Sequence, residues 1–265
     1  MPFRSMFPVF LLGALAGCSG EYILTAADSV ALPGEPAAVV VRLQRREFWF
    51  HCPPVRGAAI TFRDQCGNLR CARTDKHGYA AVAIPAPESP GSYTVELHLQ
   101  DSLGYTVSGR ALIFVLDPGR PVVAVDADSL PAEVGPAQAA GKALARLARS
   151  AQVVYLSEAL RGAPERARRR LSQMGCPSGP VIGWRHRPTL RRRLGGKSAG
   201  PGPLAMLKRR LPKLTCAVTA NPAAAEALKR AGLKVCLVGA RRQLDGVQQV
   251  ASWAELALAL LGKGG

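Results

Sequence analysis

The sequence predicts two domains: an all-β antiparallel sandwich, then an α/β domain whose parallel sheet is flanked by helices. Three observations carry this. Residues 21 to 118 hold short alternating or β-branched runs broken by turns, with no helical period. From residue 119 onward, apolar strand-like runs alternate with helical stretches, the rhythm of βαβ units. The charge changes at the same place. Cys18 to Arg120 carries ten Lys and Arg against ten Asp and Glu, whereas Pro121 to Gly265 carries 24 against 8.

The first eighteen residues, MPFRSMFPVFLLGALAGC, read as an export leader. Arg4 gives the positive start, Phe7 to Leu15 the apolar run, and Leu15-Ala16-Gly17 the small-residue cleavage site. The apolar run is too short to span a bilayer. Leu-Ala-Gly-Cys resembles the lipobox of bacterial lipoproteins. The resemblance implies a signal peptide over residues 1–17 and an acylated Cys18 that joins the mature chain to membrane lipid. It also implies a place in the bacterial cell envelope, on the outer membrane or facing the periplasm. An ordinary secretory leader is the alternative reading.

Strand candidates in the first domain are AAVVVRLQ, AAITFRD, YAAVAI, YTVELHLQ and ALIFVLD, punctuated by GEP, CGN, DKHG and ESPG. Such spacing predicts an antiparallel sandwich. The run GAAITFRDQCGNLRCARTDKHGYAAVAIPAPESPGSYTVELHL resembles bacterial Ig-like modules, a resemblance that implies an Ig-like domain over residues 18–118 with a spacer or adhesion role. Trp49 and His51 read as packing or rim residues. Of the six cysteines after Cys18, Cys66 and Cys71 flank a hairpin that a disulfide would close. Cys216 and Cys236 lie in apolar runs and read as buried thiols. The four histidines are scattered, so no His/Cys metal cluster is expected.

In the second domain, strands are expected at PVVAVD, QVVYLS, PVIGW, LTCAVT and KVCLVG. Helices are expected at AQAAGKALARLARSA, APERARRRLSQMG, LAMLKRRL, AAAEALKRAG and ASWAELALALLG. Ligands in such sheets bind at the carboxyl ends of strands, where Asp126 and Asp128 fall. A turn or helix-capping pair is the simplest use of two such aspartates.

Four motifs add a resemblance: V-D-A-D-S-L, V-V-Y-L-S-E, C-P-S-G-P-V and L-P-K-L-T-C-A-V-T-A-N-P-A-A-A-E-A-L-K-R-A-G-L. In order and spacing this region resembles the haloacid-dehalogenase-like phosphatases, within them the lipin-like phosphatidate phosphatase type. The resemblance implies a Rossmann-like, haloacid-dehalogenase-like domain over residues 119–265. It assigns Asp126 as the nucleophile that forms an aspartyl-phosphate and Asp128 as the general acid and base. Ser157 would hydrogen-bond the phosphoryl group, and Lys197, or more distantly Lys208, would neutralise it. Magnesium would be held by Asp126 and Asp128.

Several positions depart from the family. Ser129 and Leu130 replace the Gly and Thr of the first motif. Thr219, Ala220 and Ala224 stand where the last motif has its glycine and two acids. A methyl group cannot ligate a hard cation. The expectation is therefore a degenerate phosphatase with an incomplete metal site, needing magnesium if active and no cofactor otherwise. Asp245 or Glu226 would be the carboxylates to rescue an active enzyme. The run RHRPTLRRRLGGK, with Arg191, Arg192 and Arg193, would hold an anionic phospholipid or another phosphorylated ligand, or else form a solvated loop. Nucleic acid is disfavoured, because this run lacks interleaved aromatics. A structural or adhesion protein is the remaining alternative.

Overall fold

Alternation of inward apolar and outward polar side chains builds the first domain. A computed structural model describes residues 21–47, 51–100, 104, 106–157, 164–184, 203–239 and 244–261. The strands are β1 (Glu21–Ala26), β2 (Ser29–Ala31), β3 (Pro36–Arg46), β4 (Ala59–Arg63), β5 (Leu69–Arg73), β6 (Tyr79–Pro85), β7 (Gly91–Gln100) and β8 (Thr106–Val115). They form two sheets, ordered β1-β3-β6 and β2-β8-β7-β4-β5. All pairings are antiparallel except β2 with β8. Val39, Val41 and Leu43 of the smaller sheet pack against Ile60, Phe62 and Leu97 of the larger one. This is an Ig-like sandwich. The chain changes sheets between β1 and β2, at Ala27-Asp28.

Strands β1, β2 and β5 go beyond the sequence expectation. β5, LRCAR, exposes nearly every side chain and so shows no apolar alternation. Its hairpin is closed by Asp64, whose carboxylate accepts from the Cys66 and Asn68 amides, each at 2.9 Å. The expected Cys66–Cys71 disulfide is not formed, and both are exposed free thiols. Cys66 lies in the turn while Cys71 is paired with Thr61 inside the hairpin. At the DKHG turn, Gly78 has φ of 79°, and a Cβ there would lie 2.4 Å from the Leu43 carbonyl oxygen. Only glycine fits that approach.

The second domain comprises β9 (Val122–Asp126), α1 (Val134–Leu147), β10 (Gln152–Ser157), α2 (Pro164–Gln173), β11 (Val181–Gly183) and α3 (Pro203–Arg210). It continues with β12 (Leu214–Thr219), α4 (Pro222–Arg230), β13 (Lys234–Val238), β14 (Gln248–Val250) and α5 (Trp253–Leu261). Six parallel strands run in the order β11-β10-β9-β12-β13-β14. Counted within the domain this is 3-2-1-4-5-6, the doubly wound order. β9 is buried on both sides. Val123 and Val125 face α1, α2 and α5, while Val122 and Ala124 face α3 and α4. β14 escapes the sequence pattern because QQV offers one apolar residue. Among the described residues, no helix is long and apolar enough to cross a membrane.

The two domains share a core. Val30, Phe114 and Leu116 of the sandwich join the apolar cluster that contains Ala124, Val154 and Leu156. Polar clasps surround it. The Gln152 amide donates to the Asp117 carbonyl at 2.8 Å and accepts from the Asp117 N–H at 2.7 Å. Asp28, at the sheet-changing corner, pairs with Arg168 of α2 and accepts from the Val181 N–H at 2.8 Å. Val181 begins the edge strand β11, so a carboxylate from the other domain closes an otherwise open edge donor. Arg210 of α3 donates to the Pro36 carbonyl.

Candidate functional site

The strand order reverses between β9 and β12, the place where doubly wound sheets open a ligand crevice. Asp126 ends β9, Ser157 ends β10 and Thr219 ends β12, so three polar side chains meet at one carboxyl edge. Asp126 is only 3% exposed and Thr219 is fully buried. The Thr219 hydroxyl donates to Asp126 Oδ2 at 2.7 Å, directly across the crevice. Asp126 Oδ1 accepts from the Asp128 N–H at 3.2 Å, which caps the short 3-10 turn Ala127–Ser129. The Ser129 hydroxyl donates to the Asp126 carbonyl at 3.0 Å and accepts from the Ala220 N–H at 3.0 Å. The turn after β9 is thereby tied to the end of β12.

The sequence-predicted residues fall into three groups. Asp126, Asp128 and Ser157 come together. The Ser157 hydroxyl donates to Asp128 Oδ1 at 2.9 Å, and Asp128 is exposed whereas Asp126 is not. Lys208 goes elsewhere, its ammonium donating to the Ala231 and Gly232 carbonyls at 3.0 and 2.9 Å and so capping the end of α4. Glu226 points from an exposed position of α4, and Asp245 lies in a turn whose carbonyl takes the Lys229 ammonium. Lys197, Arg191, Arg192, Arg193, Cys18 and Trp49 lie outside the described residues.

Electrostatics at the edge follow from burial. Burial pushes the Asp126 carboxyl above its ordinary range, the Asp128 charge adds to this, and the Thr219 hydroxyl works against it. Neutral hydroxyl donors thus replace the cation that a buried carboxylate usually needs. Magnesium would be a poor match for this donor set. It demands near-octahedral oxygen ligation at about 2.0–2.1 Å. Here Asp126 already accepts at both oxygens, and Ala220 presents a methyl group. Ala224 is packed into the apolar cluster under α4. Among the described residues no group of three His, Cys, Asp or Glu is placed to hold a metal ion. The described residues do not by themselves complete a magnesium site.

In the sequence, Thr219 and Ser129 stand only as departures from a motif. They are the residues that hold the edge together. The available signal was a hydroxyl at the end of β12 beside a buried strand-end carboxylate, but which strands are neighbours is a tertiary fact.

No protein-family model matches the chain, and neither does any curated protein sequence. Solved structures give distant likenesses. The N-terminal Ig1-2 module of the Drosophila receptor protein tyrosine phosphatase DLAR is 15% identical over 40% of this chain, with a TM-score of 0.27. The aligned stretch covers 59% of that module. A bacterial immunoglobulin-like domain of the M. primoryensis ice-binding adhesin is 13% identical over 34% of this chain and 96% of its own, with a TM-score of 0.23. A carbohydrate acetylesterase from Xanthomonas citri aligns with 92% of this chain and 66% of its own, at 16% identity and a TM-score of 0.34. All three scores lie below 0.5.

Proposed function

We propose that the chain is an exported, lipid-anchored envelope protein whose α/β domain has a phosphatase-like frame and binds phosphorylated or anionic ligands without turning them over. The observation that carries the loss of turnover is the Thr219–Asp126 hydrogen bond, which occupies the crevice between β9 and β12. An aspartate attacking phosphorus needs its negative charge offset by a cation, and the loss of a single such electrostatic element costs on the order of 100-fold to 1,000-fold in rate. Support for an anionic ligand comes from the charge of the second domain, 24 Lys and Arg against 8 Asp and Glu. Exposed cations include Lys142, Arg146 and Arg149 on or just after α1 and Arg166, Arg169 and Arg170 on α2. Such a field attracts phosphate headgroups and is screened by salt. Membrane attachment through Cys18 would place this field beside a lipid surface.

The reading is tested by co-sedimentation of the unacylated chain, produced from Ser19 onward, with vesicles containing phosphatidate and with neutral vesicles. Binding to the anionic vesicles alone, lost at about 0.5 M salt where screening is strong, is the expected result. The triple change Arg191→Gln, Arg192→Gln and Arg193→Gln should weaken it. A second reading, a magnesium-dependent phosphatase on phosphatidate or another phosphoester, is favoured by one observation, the convergence of Asp126, Asp128 and Ser157 at one sheet edge. It predicts phosphate release from an aryl phosphate that disappears in Asp126→Asn.

A further inference from the structure

A second site lies at the far side of the same sheet. Cys216 of β12 and Cys236 of β13 both face the layer of α1, α2 and α5. The strands are neighbours, with Cys216 opposite Lys234 and Cys236 opposite Val218, so the two cysteines sit two residues apart along adjacent strands. Both thiols line one cavity of about 400 Å³, together with Lys234, Gln248, Ala259 and Leu260. Cys236 forms its buried wall and half-buried Cys216 its outer side, which gives the pair an approach from solvent.

Two thiols sharing an apolar cavity with a lysine have a limited chemistry. A strand spacing of about 4.8 Å and a two-residue rise of about 6.6 Å put their Cα atoms about 8 Å apart. That exceeds the reach of a disulfide. A bridging ion with metal–sulfur bonds of about 2.3 Å extends the reach by two bonds. We propose that Cys216 and Cys236 form a two-thiolate site for a soft, thiophilic monovalent cation, with Lys234 balancing its charge.

Thiolates select soft cations over hard ones, and the apolar wall from α5 suits a weakly hydrated ion. Binding breaks two S–H bonds and forms two metal–sulfur bonds. Both protons leave to solvent, and no electron changes hands. The resulting complex carries one negative charge, which the Lys234 ammonium offsets. The site is independent of the β9–β12 edge, so failure of either reading leaves the other standing.

Silver(I) is the probe. The full chain, reduced and kept free of oxygen, is titrated with silver(I) in the presence of excess monothiol, and bound silver is counted by native mass spectrometry. Single exposed thiols such as Cys66 lose this competition, whereas a chelating pair does not. One silver per chain should remain. Cys216→Ala and Cys236→Ala should each lower retention by about 100-fold, the gain that holding two donors together provides. Lys234→Gln should lower it by about tenfold through the lost charge, and Cys176→Ala should leave it unchanged. Because Cys216 is half-buried, its alanine variant keeps the fold even if the Cys236 variant does not. No retained silver, or full retention in Cys216→Ala, overturns the proposal.

Discussion

Two aspartates are buried among the described residues, and they are buried in different ways. Asp28, at the corner of the sandwich, has a cation, Arg168, and a backbone donor, the Val181 N–H. Asp126, at the corner of the α/β sheet, accepts from the Thr219 hydroxyl and from the N–H of its own turn, with no cation paired to it among the described residues. Burial pushes both carboxyls up; at Asp28 the Val181 and Arg168 hydrogen bonds oppose it, at Asp126 the Thr219 hydroxyl does. The first arrangement joins two domains. The second fills the place where a doubly wound sheet usually receives a ligand. In the proposed reading Asp126 is held by the protein's own donors instead of acting on a ligand.

The largest effect that would sharpen this comparison is at the domain joint. Asp28→Ala leaves Arg168 with the looser, more exposed Glu165 carboxylate at 3.5 Å and takes the acceptor from the Val181 N–H. It should cost about 3 kcal/mol or more in chemical denaturation. Because the joint shares an apolar core, the wild-type chain should unfold in one transition, and Asp28→Ala should split it into two. A single transition with little loss would mean that Asp28 is dispensable to docking.

A smaller effect is expected at the sheet edge. Thr219→Val keeps the shape and removes the donor to Asp126, which should cost about 1–3 kcal/mol. The loss should come without any change in phosphate release. A gain of release in this variant would show that Thr219 had been blocking a competent nucleophile.

The pH dependence separates the partners further. The Asp126 pKa is raised in the folded state, so its contribution to stability is fully present below its ordinary value of 3.8 and is lost as pH rises through the folded pKa. Denaturant titrations across that window should show Asp126→Asn gaining on the wild type as pH increases. Equal slopes for the two proteins would contradict the raised pKa. The smallest effect belongs to Lys208. Lys208→Met removes the cap on α4 and should cost about 0.5–1 kcal/mol, measured by thermal melting.

How much of this was legible in the sequence depended on the range of the interaction. QVVYLS and LTCAVT coincide with β10 and β12, because continuous apolar runs with β-branched residues are local signals. The Asp126–Asp128 pair at a strand end was visible for the same reason. Thr219 was not, because it acts 93 residues away from Asp126 and only strand order brings them together. Asp28 gave no signal at all. Its partners Arg168 and Val181 lie 140 and 153 residues further along, and nothing local distinguishes it from a turn aspartate. The short or polar strands β2, β5 and β14 were missed because their pairing, not their composition, makes them strands.

In the proposed reading, the Thr219 hydroxyl and the Asp128 N–H hold Asp126 in place of a metal. Titrating the protein with manganese(II), a magnesium surrogate observed directly by electron paramagnetic resonance, tests it. The free-ion signal should persist with no loss attributable to Asp126 or Asp128, and Asp126→Asn should give the same titration. Stoichiometric loss of the signal that Asp126→Asn abolishes would contradict it.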